Sequence, residues 1–190
     1  MKSEYILEKE FTDQIFEATA LQYRDFEDCV FINCDFRNCS FLAVTFIDCR
    51  FVGCNFKETK INYVSFRGVI FKQCDFTAVN FAMTDQKIFE FNFDECQLDF
   101  AQFYALKLKK IKFIKCSLVS ADFMKTDLTE AVFDDCDLRR AYFENTIANK
   151  TDFSKSYNIT LDPSQNKIKK ALFSLDGAKG LLAHHQLIFD

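Results

Sequence analysis

The chain has 190 residues and a mass of 22.2 kDa, room for one ordinary domain or one short solenoid. Phenylalanine fills 25 positions against four glycines, one proline and no tryptophan, which excludes disorder, collagen-like repeats and folds that cradle phosphates in several glycine loops. With 24 basic and 28 acidic residues the formal charge is −4, giving no general electrostatic reason to bind a nucleic-acid backbone.

Residues 1–10, MKSEYILEKE, lack the apolar stretch of a secretory leader and are expected to form an N-terminal cap. No run of about 18 apolar residues follows, so a membrane span is not expected. The odd count of nine cysteines, without an export signal, points to free thiols in a reducing compartment, and the chain is read as cytoplasmic.

From Phe11 an apolar residue stands at every fifth position: Phe16, Leu21, Phe26, Phe31, Phe36, Phe41, Phe46, Phe51, Phe56, Ile61, Phe66, Phe71, Phe76 and Phe81. The phase slips by two residues near 82–87. It resumes as Ile88, Phe93, Leu98, Phe103, Leu108, Phe113, Leu118, Phe123, Leu128, Phe133, Leu138, Phe143, Ala148 and Phe153. On a helix, steps of five leave successive residues about 140° apart around the axis, and on a flat strand an odd spacing throws them onto opposite faces. Both usual elements are therefore excluded. A chain that turns a corner every five residues, pointing each central residue at a common axis, satisfies the spacing.

The number of sides follows from a second position. Every cysteine (Cys29, Cys34, Cys39, Cys49, Cys54, Cys74, Cys96, Cys116 and Cys136) lies two residues before a central residue, where the other occupants are mostly Val, Ala and Thr. With four units per turn, Cys34, Cys54, Cys74, Cys96, Cys116 and Cys136 fall on one side. Phe and Leu likewise segregate to opposite pairs of sides after the slip. A leucine-rich repeat has a similar turn length, but would not place an apolar residue at every fifth position.

Beyond Phe153 the pattern frays. Asp162-Pro163 marks a turn, and Asn166-Lys167-Ile168 and Ala171-Leu172-Phe173 read as two last units. Asp176 is expected to cap a short helix through Leu181, Leu182 and Ala183, followed by the apolar residues Leu187, Ile188 and Phe189. These form either a lid on the solenoid or a dimer seam. The division expected is thus a cap over 1–10, a solenoid over 11–175 and a helix with an apolar tail over 176–190.

Signals for chemistry are weak. His184 and His185 stand together in the tail with no triad partners, so no catalytic residues are assigned and the chain is not read as an enzyme. The cysteine spacing resembles metal-ligand spacing, but residues five apart lie on successive sides of a coil, so no metal site is assigned. Gly53 and Gly68 are isolated and no cofactor or small-molecule substrate is expected. The outer surface does carry a pattern. Asp94 and Glu95 recur two turns later as Asp134 and Asp135, with Asp99 and Asp137 close by and Asp35 and Asp75 on the same line as Asp137. This acidic edge admits two readings. One is imitation of the phosphate ladder of a duplex. In the other, Asp and Asn cap corners while Glu95, Lys115 and Asp135 stack as an ion-pair ladder. The segment KLKKIKFIK, with Lys107, Lys109, Lys110, Lys112 and Lys115, interrupts the acids, and direct nucleic-acid binding is not expected from this one cluster.

The unit in CDFRN, CNFKE, CDFTA, ADFMK, TDLTE and CDLRR resembles the A(D/N)LXX consensus of the pentapeptide repeat family. The resemblance implies a right-handed quadrilateral parallel β-helix, all-β apart from the short C-terminal helix. The tail is similar in layout to the Qnr and microcin-immunity branch, in which a short helix and apolar terminal residues join two rods end to end. That similarity implies a homodimer through Leu181, Leu182, Leu187, Ile188 and Phe189. It also implies a non-enzymatic binder of DNA gyrase or topoisomerase IV, related to quinolone resistance or toxin immunity, with Asp35, Asp75, Asp94, Glu95, Asp99, Asp134, Asp135 and Asp137 facing the partner. The alternative is a scaffold with a different protein partner.

Overall fold

A computed structural model describes residues 4–37, 39–86, 89–185 and 187. The strands are short because each side of the coil is only one pentapeptide long. They are β1 (Glu4–Leu7), β2 (Glu10–Thr12), β3 (Arg24–Glu27), β4 (Val30–Ile32), β5 (Thr45–Ile47), β6 (Arg50–Val52), β7 (Ser65–Lys72), β8 (Phe89–Asp94), β9 (Lys112–Ile114) and β10 (Val132–Asp134). All pair in parallel with a register of 20 residues before the slip, as in Phe26↔Phe46 and Phe31↔Phe51, and again after it, as in Phe113↔Phe133. Isolated parallel bridges extend the same register around the remaining sides, from Ile15↔Asp35 to Asp152↔Leu172. The four-sided parallel β-solenoid expected from the period of five is thus the observed fold.

Each side contributes one central residue per coil to a filled lumen. Phe31, Phe51, Phe71, Phe93, Phe113, Phe133 and Phe153 line the first side, and Phe36, Phe56, Phe76, Leu98, Leu118 and Leu138 the second. Leu21, Phe41, Ile61, Phe81, Phe103, Phe123 and Phe143 line the third; Phe26, Phe46, Phe66, Leu108, Leu128 and Ala148 line the fourth. Along a side the rings stack, as in Phe56 over Phe76 at 4.5 Å and 8° or Phe103 over Phe123 at 5.0 Å and 6°. Between sides they meet edge to face, as in Phe46 and Phe51 at 5.1 Å and 81°. Both geometries suit the aromatic quadrupole, and each fully buried ring adds about 2–3 kcal/mol from area alone.

The small slot two residues before each central residue also has a defined task. Its hydroxyl or thiol donates to a carbonyl of the coil before it: Thr59 to Phe36 at 2.7 Å, Thr126 to Phe103 at 2.8 Å, Cys54 to Phe31 at 3.3 Å. All nine cysteines are buried and unpaired. Burial raises the Cys39 thiol to about 11 and the Cys49 thiol to about 12, which leaves them protonated and inert as nucleophiles.

Most corners are made by a left-handed residue two positions after the central residue, with φ near +50 to +62° at Asn33, Glu95, Ala105, Lys115, Asp135 and their equivalents. Only Gly53 and Gly68 among these corners are glycines. The conformation costs a side-chain-bearing residue about 1–2 kcal/mol. It turns the amide toward the next coil, where Asn33 N–H meets the Val52 carbonyl at 2.8 Å and Lys115 N–H meets Asp134 at 2.7 Å. Asp or Asn before the central residue holds the other half of the corner, accepting from the amide two residues on, as Asp35 does from Arg37 and Asn55 from Lys57, both at 3.0 Å.

Several boundaries differ from expectation. The solenoid does not wait for residue 11. β1, inside the segment expected to cap, already pairs with β3, because Ile6 fills a central position one unit earlier and packs against the core. The two last units are present, with Ile168 and Phe173 against the core and Phe173 stacked on Phe153 at 5.3 Å. Helix α1 (Leu175–Gly180) is capped by Ser174, whose hydroxyl accepts from the Gly177 amide at 2.9 Å, and not by Asp176, which sits in its first turn. It also ends at Gly180, short of Leu182; Gly180 lies so close to the Ile159 carbonyl that a Cβ there would collide with it. At the slip, Ile88 lies outside the described residues. Phe91 takes a small slot and fits there by turning into the lumen against Phe66 (5.7 Å), Phe81 (5.8 Å) and Phe93 (5.1 Å).

The corner geometry carries a stability consequence. Ala105 is exposed, has φ +57° and has no side-chain bond to compensate. Ala105→Gly should therefore stabilise the rod by about 0.5–1 kcal/mol in guanidinium unfolding, despite the greater flexibility of unfolded glycine. A destabilisation of that size would show that the corner conformation is not strained.

Candidate interaction surfaces

With the lumen filled, only the three outward positions of each unit remain for recognition, and the 20-residue register stacks them in columns. On the second side, Asp35, Asn55, Asp75, Gln97, Ser117 and Asp137 form one such column. At the edge between the first and second sides stand Asp94, Glu95, Asp134 and Asp135, with Asp99 one unit further on. The expected acids thus lie on the second side and at the two corners that bound it.

Nearly all are engaged within the rod. Asp35 pairs with Arg37 at 2.6 Å and Asp137 with Arg139 at 3.4 Å. Asp75 accepts from the Thr77 amide and hydroxyl at 2.8 and 2.6 Å, and Asp99 from the Ser117 hydroxyl at 2.5 Å. Asp94 meets Lys72 at 3.5 Å, Glu95 meets Lys115 at 3.8 Å and Gln73 at 2.7 Å, and Asp134 meets Lys155 at 2.8 Å. The ladder expected through Glu95, Lys115 and Asp135 is half formed. Lys115 reaches Glu95, but the following lysine, Lys155, takes Asp134, while Asp135 serves as a left-handed corner with φ +54°.

The same alternation continues around the fourth side, where Lys110 and Lys150 approach Glu130 from neighbouring coils at 3.8 and 2.8 Å and Lys109 meets Asp127 at 3.3 Å. The Arg37 hydrogen bond holds the Asp35 carboxyl below its ordinary range, and the Lys150 hydrogen bond does the same for Glu130. Asp127 is pushed up by burial but is held low on balance by bonds from Thr129 and Lys109.

A surface the sequence reading passed over lies on the third side and its corners. Tyr23, Tyr63, Met83, Phe100, Tyr104 and Tyr142 are exposed there, Tyr63 to 65% and Phe100 to 57%. Lys125 caps Tyr104, its ammonium 3.0 Å from the hydroxyl and 5.3 Å from the ring centre. Writing the chain in rows of 20 would have exposed this stripe, since these residues occupy outward positions on one side.

At the C-terminal end, Leu175 is 90% exposed and forms a shallow apolar hollow with Ala178 and Leu182, rimmed by Asp176 and Lys179. Leu187 is exposed as well, whereas Leu181 packs partly against the core and is less available to a seam than expected. Ile188 and Phe189 lie outside the described residues. His184 borders a hollow with Tyr142 and Asp162. Among the described residues, no group of three His, Cys, Asp or Glu is placed to hold a metal, and no helix is long and apolar enough to cross a membrane.

These features define a four-sided parallel β-solenoid with a filled lumen and a patterned skin. Sequence profiles of the pentapeptide repeat region match residues 24–103, and profiles of eight-copy pentapeptide repeats match 96–135 and 107–145. The chain belongs to the pentapeptide repeat family. Among solved structures it is similar to a trypsin-treated variant of QnrB1, a plasmid-mediated fluoroquinolone resistance protein, with TM-score 0.64, 14% identity and coverage of 99% of this chain and 100% of that one. It also matches HetL, a pentapeptide repeat protein involved in heterocyst differentiation regulation in the cyanobacterium Nostoc sp. strain PCC 7120, with TM-score 0.42, 11% identity and coverage of 90% and 85%. No curated protein matches the sequence.

The depressed carboxylates give the rod's stability a pH dependence in acid. Asp35, Asp127 and Glu130 titrate below their ordinary values of 3.8 and 4.5, so their stabilising effect is complete above those values and is lost as pH falls through the lower folded ones. The thermal midpoint should fall between about pH 5 and pH 3, and about 1 M salt should shrink that fall by screening the exposed pairs. A midpoint independent of pH over that range would remove these pairs from the stability of the fold.

Proposed function

We propose that this chain is a non-catalytic protein-binding rod that works in the cytoplasm as a homodimer joined through its C-terminal ends. The observation that carries the reading is the combination of an aromatic-filled lumen with exposed Tyr63, Phe100, Tyr104 and Tyr142 on one wall. Such side chains are enriched at protein interfaces, where they supply contact area at low entropic cost. The nine buried free thiols support a reducing compartment.

The partner proposed is a bacterial type II topoisomerase, DNA gyrase or topoisomerase IV. The fold likeness to a fluoroquinolone resistance protein supports it, as does the acidic edge of Asp35, Asp75, Asp94, Glu95, Asp99, Asp134, Asp135 and Asp137. A specific observation favours the alternative, a scaffold for another protein. Duplex DNA presents a charge about every 1.7 Å of axis, whereas here acidic and basic coils alternate and neutralise one another. Gyrase supercoiling assays with and without a quinolone separate the two. Protection or inhibition at micromolar protein supports the topoisomerase reading, and no effect at tens of micromolar rejects it in favour of the scaffold.

For the dimer, Leu175→Asp combined with Leu182→Asp should convert a species of about 44 kDa, twice the chain mass, to one near 22 kDa in sedimentation, with an unchanged melting temperature. A wild-type rod that sediments as a monomer at high micromolar concentration rejects the end-to-end joint.

A further inference from the structure

The repeat slips phase near 82–87, and the wall opens in the coil that follows. Elsewhere on the first side the amide before each central residue donates to the small-slot carbonyl of the preceding coil, Arg50 to Cys29, Val132 to Ile111 and Asp152 to Ala131, all at 2.9 Å. After the slip, the Lys112 amide donates instead to the Asn92 side-chain oxygen at 2.9 Å, and β8 pairs with β9 only from Phe93↔Phe113 onward. The two coils part at the corner between the fourth and first sides.

The parting leaves a cleft of about 380 Å³ lined by Glu90, Phe91, Asn92, Leu108, Lys109, Lys110 and Ile111. Its floor is apolar, and solvent reaches it slightly: Phe91, Leu108 and Ile111 are 4%, 3% and 5% exposed, against 0% for Phe93, Phe113 and Leu128 around them. Its rim is basic. The segment 107–115 carries five lysines and no acid. In the lining, Lys109 meets Asp127 at 3.3 Å and Lys110 reaches Glu130 at 3.8 Å, sharing it with Lys150; Lys107 and Lys112 flank the lining in sequence and form no ion pair among the described residues. Among the described residues, Glu90 is the one acid in the lining.

We propose that this cleft is a docking notch for a protein segment that presents an aromatic or branched apolar side chain flanked by carboxylates. The volume accepts one such anchor, the floor gives it apolar contact, and the open corner lets a backbone cross while its carboxylates meet Lys107, Lys109, Lys110 and Lys112. Charge complementarity selects the occupant: a basic segment is repelled by the rim, and an acidic segment without an anchor leaves the floor wet. The inference deepens the protein-binding reading by giving the chemistry of one contact, and it does not depend on which partner supplies the segment.

Fluorescence anisotropy with the full chain tests it. The probe is a fluorescein-labelled pentapeptide with one phenylalanine between two pairs of acidic residues, compared with peptides in which alanine replaces the phenylalanine or lysines replace the acids. The expected result is saturable binding of the first peptide, weakened about tenfold or more by either change. Lys109→Glu with Lys110→Glu should weaken binding about tenfold or more, and Lys169→Glu with Lys170→Glu, the same charge change at the far end of the fourth side, less than about twofold. These side chains lie on the surface, so unchanged melting confirms that the variants fold. Equal binding of the alanine peptide, equal loss in both lysine pairs, or no binding at millimolar peptide each overturns the notch. A failure here leaves the supercoiling and sedimentation results standing, so the two readings fall separately.

Discussion

The rod depends on one coupling: the left-handed corner that aims an amide at the next coil also returns the following unit to face the axis. Without the corner, neither the ring stack nor the inter-coil hydrogen bonds exist. Each corner residue carries strain of about 1–2 kcal/mol when it is not glycine, and a single coil has several. A lone coil would be unstable. Stacking reverses the balance, because every added coil buries up to four large side chains against those already placed and satisfies the amides its corners have turned outward. Stability is therefore a property of neighbouring coils. That explains how a chain with only four glycines can contain so many positive-φ positions.

The lumen was legible in the sequence because its constraint is strict. A square tube of fixed cross-section accepts one large apolar residue per side and a small one beside it, so Phe46, Phe66 and Phe113, or Cys54 and Cys74, could be assigned by counting alone. The corners were not legible. Asn33, Ala105, Lys115 and Asp135 share a left-handed conformation imposed by the coil, and no single residue type marks it. The start at Ile6 was missed because one apolar residue before Phe11 looks accidental without its partner Phe26 in register. Phe91 was missed because the rule for the small slot breaks down where the insertion lets a ring turn inward. The acidic edge was visible as columns, but its internal engagement was only partly so. Whether Lys155 reaches Asp134 or Asp135 depends on side-chain reach at a corner, which spacing does not fix.

The outer charges have two roles that compete. Acid and base alternate by coil, so Glu95 and Lys115, or Glu130 with Lys110 and Lys150, hold neighbouring coils together while cancelling the field each would project. Exposed pairs of this kind add little stability individually. A partner that recruits the acidic edge must exchange with these internal contacts. The third wall faces no such competition: its tyrosines and Phe100 are already exposed, and the few bonds that hold them, such as Lys125 on Tyr104, lie at the surface.

The break in the repeat shows how a solenoid can acquire a binding feature without losing its core. Each coil contacts only its neighbours, so a two-residue insertion disturbs one interface and leaves the register intact on either side, as Phe46↔Phe66 and Phe113↔Phe133 attest. Phe91 keeps the lumen filled at the disturbed level by contacting Phe66, Phe81 and Phe93 from an unusual slot. The wall, lacking one backbone rung, opens above it. Core continuity and the surface opening thus occur at the same level of the rod, in the coil that follows the insertion. Because the lysine-rich unit follows within one coil, the apolar floor and basic rim are fixed relative to each other by the backbone register.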